Sequence, residues 1–382
     1  MENQIKFHGR GGEFFGIWIV NLLLSIVTLG VYSAWAKVRT KKYFYGNTEF
    51  GGDRFDYHGA PIQILKGRII AMACVLVWFI SSSIFPLVSA LLFLIFSALT
   101  PWLIRNNTRF DARVTSYRNV RFDFTGTVKS AYSVFLLWPF LCYLLLACCF
   151  VFASSVGYTS LTAGMIGGLM TAVLGFILFS WVSAQIATYF INGYRYGSYL
   201  FSAELSTKQY MVTYLLGGLL GMTLAIVLLI VAVFVGGSSY YELINLSQIS
   251  VVDGGVDFVL VMLTGYGGMI LIALVVNGFI KARIRNYLFG QIKINDETDY
   301  SFASAMTTVG LVSLMVTNFA ILVVTLGFAH PWVKVRSSRY VASVTTVKGD
   351  LNTLMVDGDE FDTSSAVADE VAEAFDLNIG IG

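Results

Sequence analysis

Residues 21–53 read NLLLSIVTLGVYSAWAKVRTKKYFYGNTEFGGD, and residues 318–350 read NFAILVVTLGFAHPWVKVRSSRYVASVTTVKGD. At a constant offset of 297 positions, without a gap, Asn21, Thr28, Leu29, Gly30, Trp35, Lys37, Val38, Arg39, Tyr43, Gly52 and Asp53 all recur. A repeat of this kind means that one unit, an apolar run followed by a basic aromatic stretch, was used more than once in building the chain. The pattern speaks to architecture and is silent about a reaction.

The rest of the sequence supplies the solvent that such a unit needs. Apolar residues make up 56% of the chain and charged residues only 13%. The charges sit in short clusters that leave 14–36, 69–104, 130–194, 209–241, 258–280 and 300–333 free of any. A soluble helix needs a wet face, so an uncharged stretch as long as 130–194 argues against a large soluble core. A bilayer core of roughly 30 Å takes about 20 apolar residues per helix. The stretches then divide into 14–34, 67–85, 87–104, 131–154, 164–190, 212–236, 258–280 and 308–330. This is an all-α polytopic membrane protein with about eight hydrophobic segments and internal pseudo-repeats, each segment helical because the bilayer leaves no backbone group unpaired. Gly164 with Gly168 and Gly217 with Gly221 have the spacing that lets helices pack closely.

Basic residues cluster at Lys37 to Lys42 with Lys66 and Arg68, at Arg105 to Lys129, at Arg195 and Lys208, and at Lys281 to Lys293. The intervening loops carry no Lys or Arg, so these clusters face the cytosol. The ends admit two arrangements. Full crossings by 14–34 and 308–330 put both termini outside, and Lys334, Arg336 and Arg339 then break the charge rule. Re-entry at both, favoured by Gly30, Gly327 and Pro331, keeps both termini inside. The polar lead with Glu2 and Glu13, and the basic stretch after the first apolar run, do not form a signal-cleavage pattern.

Fainter copies lie between. Trp102 follows Trp35 by 67 positions, and at the same offset Arg54-Phe55-Asp56-Tyr57 returns as Arg121-Phe122-Asp123-Phe124. Arginine precedes tyrosine by four residues at Arg39 and Tyr43, Arg195 and Tyr199, Arg283 and Tyr287, and Arg336 and Tyr340. Together with Trp35, Lys37, Trp102, Trp332 and Lys334 these residues suit helices leaving the membrane, where tryptophan anchors at the headgroup level. Converging, they could hold an anionic lipid headgroup or another anionic ligand. After each basic stretch come strand-like runs with glycine links: 43–50 with 53–58, 113–126, 288–296, and 340–347 with 351–356. Such short cytosolic β-hairpins are expected to form one small sheet beneath the helices.

Two domains follow: a repeat-built membrane domain over 1–356 and an acidic tail over 357–382, which holds eight acids and no base. Little points to catalysis. Cys74, Cys142, Cys148 and Cys149 lie in apolar segments without metal-ligand spacing, so neither a metal nor another cofactor is implied. His8 and His58 stand in matching Phe-His-Gly and Tyr-His-Gly settings, a shared structural position. No phosphate-binding glycine loop and no nucleophile elbow occurs, and the protein is expected not to be an enzyme. No Asp, Glu, Lys or Arg lies well inside a proposed span, which disfavours a pump. The intramembrane polar residues are Asn21, Gln185, Asn277 and Asn318, besides hydroxyls.

The run IWIVNLLLSIVTLGVYSAWAKVRTKKYFYGNTEFGGDRFDYHG, with RFDFTG and TLGFAHPWVKVRSSRY, resembles the YjgN family of bacterial inner-membrane proteins over nearly the whole chain. The resemblance implies a multi-pass protein of the bacterial cytoplasmic membrane. It carries over no catalytic or ligand-binding residue. Ala34 here stands where Pro101 and Pro331 stand in the other copies. Two functions fit the residues. One is a passive permease, channel-like or lipid-binding protein; the other is a non-transporting scaffold recruiting a partner through its basic cytosolic face and acidic tail. The bilayer and its anionic headgroups are the expected partners, and nucleic acid is not among them.

Overall fold

The computed structural model describes residues 2–244, 255–295 and 300–349, so the tail over 357–382 lies outside the described residues. Helices dominate, and they come in pairs separated by short strands. Strands β1 (Glu2–Gln4) and β2 (Lys6–Phe7) precede helices α1 (Gly11–Val27) and α2 (Ser33–Gly46). The hairpin β3 (Thr48–Phe50) and β4 (Asp53–Tyr57) follows, then α3 (Pro61–Ile84) and α4 (Pro86–Arg113), then β5 (Thr115–Tyr117) and β6 (Val120–Phe124). The third helical pair is α5 (Val128–Tyr132), a π-helical turn at Ser133–Leu137, α6 (Trp138–Thr159) and α7 (Leu161–Gly193), closed by β7 (Tyr194–Tyr196) and β8 (Tyr199–Ser202). Next come α8 (Thr207–Ile244) and α9 (Gly255–Gln291) with β9 (Lys293–Ile294) and β10 (Ser301–Ser304). Last are α10 (Thr308–Val324), α11 (His330–Ser343) and β11 (Thr345–Lys348).

Among the described residues, six helical stretches are long and apolar enough to cross a membrane: Pro61–Ile84, Pro86–Arg113, Val128–Thr159, Leu161–Gly193, Thr207–Val231 and Thr264–Gln291. With two shorter apolar helices these make the eight hydrophobic segments expected, and the two ends, where the sequence leaves spanning and re-entry both open, differ from the rest. Gly11–Val27 and Thr308–Val324, the helices α1 and α10, are shorter apolar helices of five turns or fewer. At a rise of about 1.5 Å per residue, each reaches roughly 25 Å. That falls short of a bilayer core of roughly 30 Å. Each stops at the Thr-Leu-Gly sequence. Leu29 and Leu326 take φ of 51° and 48°, and Gly30 and Gly327 take 90° and 88°, so the two turns share one left-handed conformation. The chain then re-enters a helix, α2 or α11, which carries the basic aromatic residues.

In the third pair the π-helical turn has an identifiable cause. Pro139 has no N–H to give to the carbonyl of Phe135, and the widened turn ahead of it accommodates the missing bond. Small residues then bring α6 and α7 together: a Cβ on Gly164 would meet the Gly157 backbone, and one on Gly167 would meet Ala153. Gly168, expected at such a contact, faces open space. Between α8 and α9, Gly217 packs on Ile280 and Gly221 on Val276, as their spacing suggested.

The chain divides into two compact units. One holds the residues up to Thr207, Leu288–Ala305 and those from His330 on; the other holds Lys208–Tyr287 and Met306–Ala329. All the described strands belong to the first unit. They pair antiparallel in two sheets, one in the order β2-β3-β4-β5-β6-β7-β8-β9 and the other in the order β1-β11-β10. The sheets are joined where β1 runs into β2, and Ile5 N donates to Thr345 O across that join at 3.2 Å. At the other end β9 and β10 follow one another in the chain. The strands therefore form a hydrogen-bonded circuit interrupted only between β9 and β10 among the described residues.

Tight turns set the register. Gly51–Gly52 and Arg118–Asn119 have positive φ at both residues, the two-residue turn whose twist matches a hairpin. Several strand expectations need correction. The segments 43–50, 288–296 and 340–347 begin as helix, through Gly46, Gln291 and Ser343 respectively. Strand β11 pairs with β1 and β10, while 351–356 lies outside the described residues. Beneath the turns a recurring packing unit appears: Phe7 over Gly9, Tyr57 over Gly59 and Phe124 over Gly126, with Phe124 and Tyr57 almost fully buried.

Candidate functional site

The strand circuit and the helix ends above it line a wide-mouthed chamber of about 760 Å³, every lining residue of which belongs to the first unit. Its wall is drawn from corresponding places in successive helix-and-hairpin segments. Four strands each supply a phenylalanine: Phe55 from β4, Phe122 from β6, Phe201 from β8 and Phe302 from β10. Their rings touch in pairs, Phe55 with Phe122 at 6.5 Å between centroids and Phe201 with Phe302 at 6.0 Å. Strand alternation explains why. In β6, Phe122 and Phe124 share one face and Asp123 takes the other.

The helix ends complete the wall. Lys41 and Tyr45 come from α2, Asp111 and Ala112 from α4, and Ile191 from α7. Lys41 Nζ donates to Asp111 Oδ1 at 2.6 Å, with both side chains about a quarter exposed. This is an ion pair between two helices, partly shielded from water, so removal of either partner leaves a costly unpaired charge. Tyr194 also lines the chamber, and burial pushes its phenol well above its ordinary pKa of 10. It is neutral at physiological pH and available as a hydroxyl.

Behind the wall a buried carboxylate holds three guanidiniums. Asp123, 4% exposed, accepts from Arg113 Nε at 2.8 Å, and Arg109 and Arg195 approach at 3.6 Å. Arg195 and Asp123 face each other across β7 and β6, so the arginine expected to meet a headgroup instead ties a strand of the wall. Arg109 and Arg113, four apart on α4, complete the cluster.

None of the other residues expected at a site lines the chamber. Tyr43 stacks on Phe14 at 5.3 Å, and its hydroxyl accepts from Arg10 N and donates to Arg10 O, so it staples the two ends of the α1–α2 hairpin. Burial raises its pKa. Trp35 packs against the cluster of Ala34, Val38, Tyr57 and Ile64, and Trp102 is half-buried. Trp332 lies over Phe15 at 4.9 Å and covers Gly11. Lys334 stands 4.9 Å from the Phe44 ring centre, and burial with the nearby charge of Lys41 lowers its pKa. Lys37 and Tyr340 lie outside the chamber, as do the repeat partners Arg39 and Arg336. Tyr199 packs on the strand cluster of Tyr117, Val120 and Tyr196.

Arg283, exposed over the Phe279 ring, and Tyr287, beside Tyr210, belong to the second unit. The intramembrane amides are likewise dispersed. Asn21 is buried in α1 with its Nδ2 3.5 Å from Ala36 O, and Gln185 is half-buried in α7. Asn318 and Asn277 lie in the second unit, the former buried and the latter exposed. No group of three or more His, Cys, Asp or Glu able to hold a metal occurs among the described residues.

Comparison with known proteins agrees with the membrane architecture. The inner membrane protein YjgN of Salmonella typhimurium is 25% identical over 371 residues, covering 94% of this chain and 91% of the relative. The inner membrane protein YjgN of Escherichia coli strain K12 is 26% identical over 374 residues, covering 92% and 90%. No solved structure matches. With six helices among the described residues long and apolar enough to cross a membrane, and relatives of this kind, the chain is a multi-pass protein of the bacterial inner membrane. It belongs to the family described as "Bacterial protein of unknown function (DUF898)", whose model matches residues 2–374.

Proposed function

We propose that this inner-membrane protein binds a small apolar or amphipathic compound in the chamber of its first unit, without catalysis. One observation carries the reading: a cavity of about 760 Å³ lined mainly by aromatic and aliphatic side chains, with few polar groups. That size falls within the range of roughly 300–1,000 Å³ typical of small-molecule sites, and such a lining is their usual composition. A permeation path lined by Asn21, Asn277 and Asn318 finds less support, because none of these amides reaches the chamber. Binding is therefore preferred to passage.

In this reading the protein is five copies of one segment, a helical pair followed by two strands, the fifth pair of strands being split between the two chain ends. Six spans and two short re-entrant hairpins then place the strands and both termini in the cytosol, on the side of the basic clusters. Arg39 and Arg336 sit at matching places on the returning helices, suited to the phosphates of inner-leaflet lipids. The test is native mass spectrometry of the purified protein beside Ala112→Phe, which fills the chamber wall. We expect a bound small compound on the wild type and its loss in the variant. A compound retained equally by both, or absent from both after purification in mild detergent, overturns the reading.

A further inference from the structure

The chamber's shape follows the repeated segments, yet its polarity does not. The charged groups lie on the side built by α2 and α4, where Lys41 and Asp111 form their ion pair and Tyr45, Thr115 and the nearby Tyr194 add hydroxyls. The side built by the end of α9 and by β8 and β10 presents Phe289, Ile292, Phe201 and Phe302. A cavity polar at one end and apolar at the other suits a molecule divided in the same way.

Charge narrows the choice. The ammonium of Lys41 and the carboxylate of Asp111 already face each other, so a head of one sign meets a repulsive group beside the attractive one. A head with both signs can instead lie along the pair, an anionic group toward Lys41 and a cationic group toward Asp111. A volume of about 760 Å³ admits one acyl chain with a compact head. We infer that the chamber takes a zwitterionic single-chain lipid, with its phosphate and ammonium against Lys41 and Asp111 and its chain along Phe201, Phe289 and Phe302. This deepens the binding reading above and rests on it.

The test uses the full-length protein in detergent micelles and three photoreactive probes with a diazirine near the end of the same acyl chain. One is a lysophosphatidylethanolamine, one a fatty acid and one an uncharged monoacylglycerol. Labelled positions are mapped by peptide mass spectrometry. The zwitterionic probe is expected to label the peptides holding Phe289 and Phe302 at least fivefold more than either other probe. The double variant Lys41→Met/Asp111→Met is expected to abolish that preference while keeping chamber labelling. Fatty-acid or monoacylglycerol labelling of the same peptides as strong as that of the zwitterion overturns this inference and leaves the chamber-binding reading intact. Labelling that spares the peptides holding Phe289 and Phe302 with all three probes overturns both.

Discussion

Three glycines show how single positions shape this protein. Gly9, Gly59 and Gly126 each lie beneath the aromatic ring two residues earlier, where a Cβ would fall against the ring of Phe7, Tyr57 or Phe124. Because Phe124 is fully buried among Tyr189, Phe190 and Tyr194, its ring cannot move aside without repacking. Overpacking of this kind costs about 1–3 kcal/mol. Gly126→Ala should therefore lower the thermal midpoint in detergent by several degrees, and an unchanged midpoint would show that the ring has room. The phenols of the strand cluster make a second test. Burial, with Tyr117 nearby, raises Tyr196 from 10 to about 12, and its hydroxyl donates to Tyr117 O at 2.9 Å. Since the folded value exceeds the unfolded one, the stability contributed is whole below pH 10 and is lost as pH rises toward 12. Tyr196→Phe should flatten that alkaline fall in a pH series of melting curves. A slope identical to the wild type's would refute it.

Helices and strands differ in how openly the sequence declares them. The long helices were legible because charge-free stretches have one physical cause, the absence of water around them. Their ends were not, since α7 and α9 run on past the apolar stretch until a strand takes over the backbone hydrogen bonds. The Thr-Leu-Gly turns were the decisive ambiguity. The uncharged run 14–36 is long enough to cross a bilayer, and only the left-handed pair Leu29–Gly30 divides it. The tips of both turns are apolar and exposed, with Leu29 at 93% and Leu326 at 88%, as suits segments ending inside a lipid layer. Alanine in place of Gly30 or Gly327 meets a positive φ, a conformation that costs an L residue about 1–2 kcal/mol. Each variant should melt earlier than the wild type, whereas Gly12→Ala, at ordinary φ and with open space, should not. Equal losses at all three glycines would speak against the turns.

The molecule as a whole is stitched through its N-terminus. Residues 2–7, a polar lead without evident strand character, pair with β11 on one half and β3 on the other, and so complete a circuit that no local pattern announces. The hairpin of β7 and β8 was hidden in the same way, as a Tyr-Arg-Tyr run adjoining a long helix. Deleting residues 2–9 should expose the edges of β3 and β11 and turn a monodisperse preparation into aggregates on size exclusion. A monodisperse deletion variant would show that the circuit does not need closing. The chamber was illegible for a related reason. Phe55 and Phe122 stood out as repeat partners, but Phe201 and Phe302 share only a strand position, which pairing alone reveals. The proposed arrangement also predicts which parts of the chain meet the periplasm, and impermeant-maleimide labelling of single cysteines in intact cells, in a background lacking the native four, tests it most directly. Phe85→Cys and Tyr158→Cys, at the exposed ends of helical hairpins, should react from outside, and Leu29→Cys, Leu326→Cys and Lys348→Cys should not until the membrane is opened. Labelling of Leu29→Cys or Lys348→Cys in sealed cells would contradict six spans with two re-entrant hairpins.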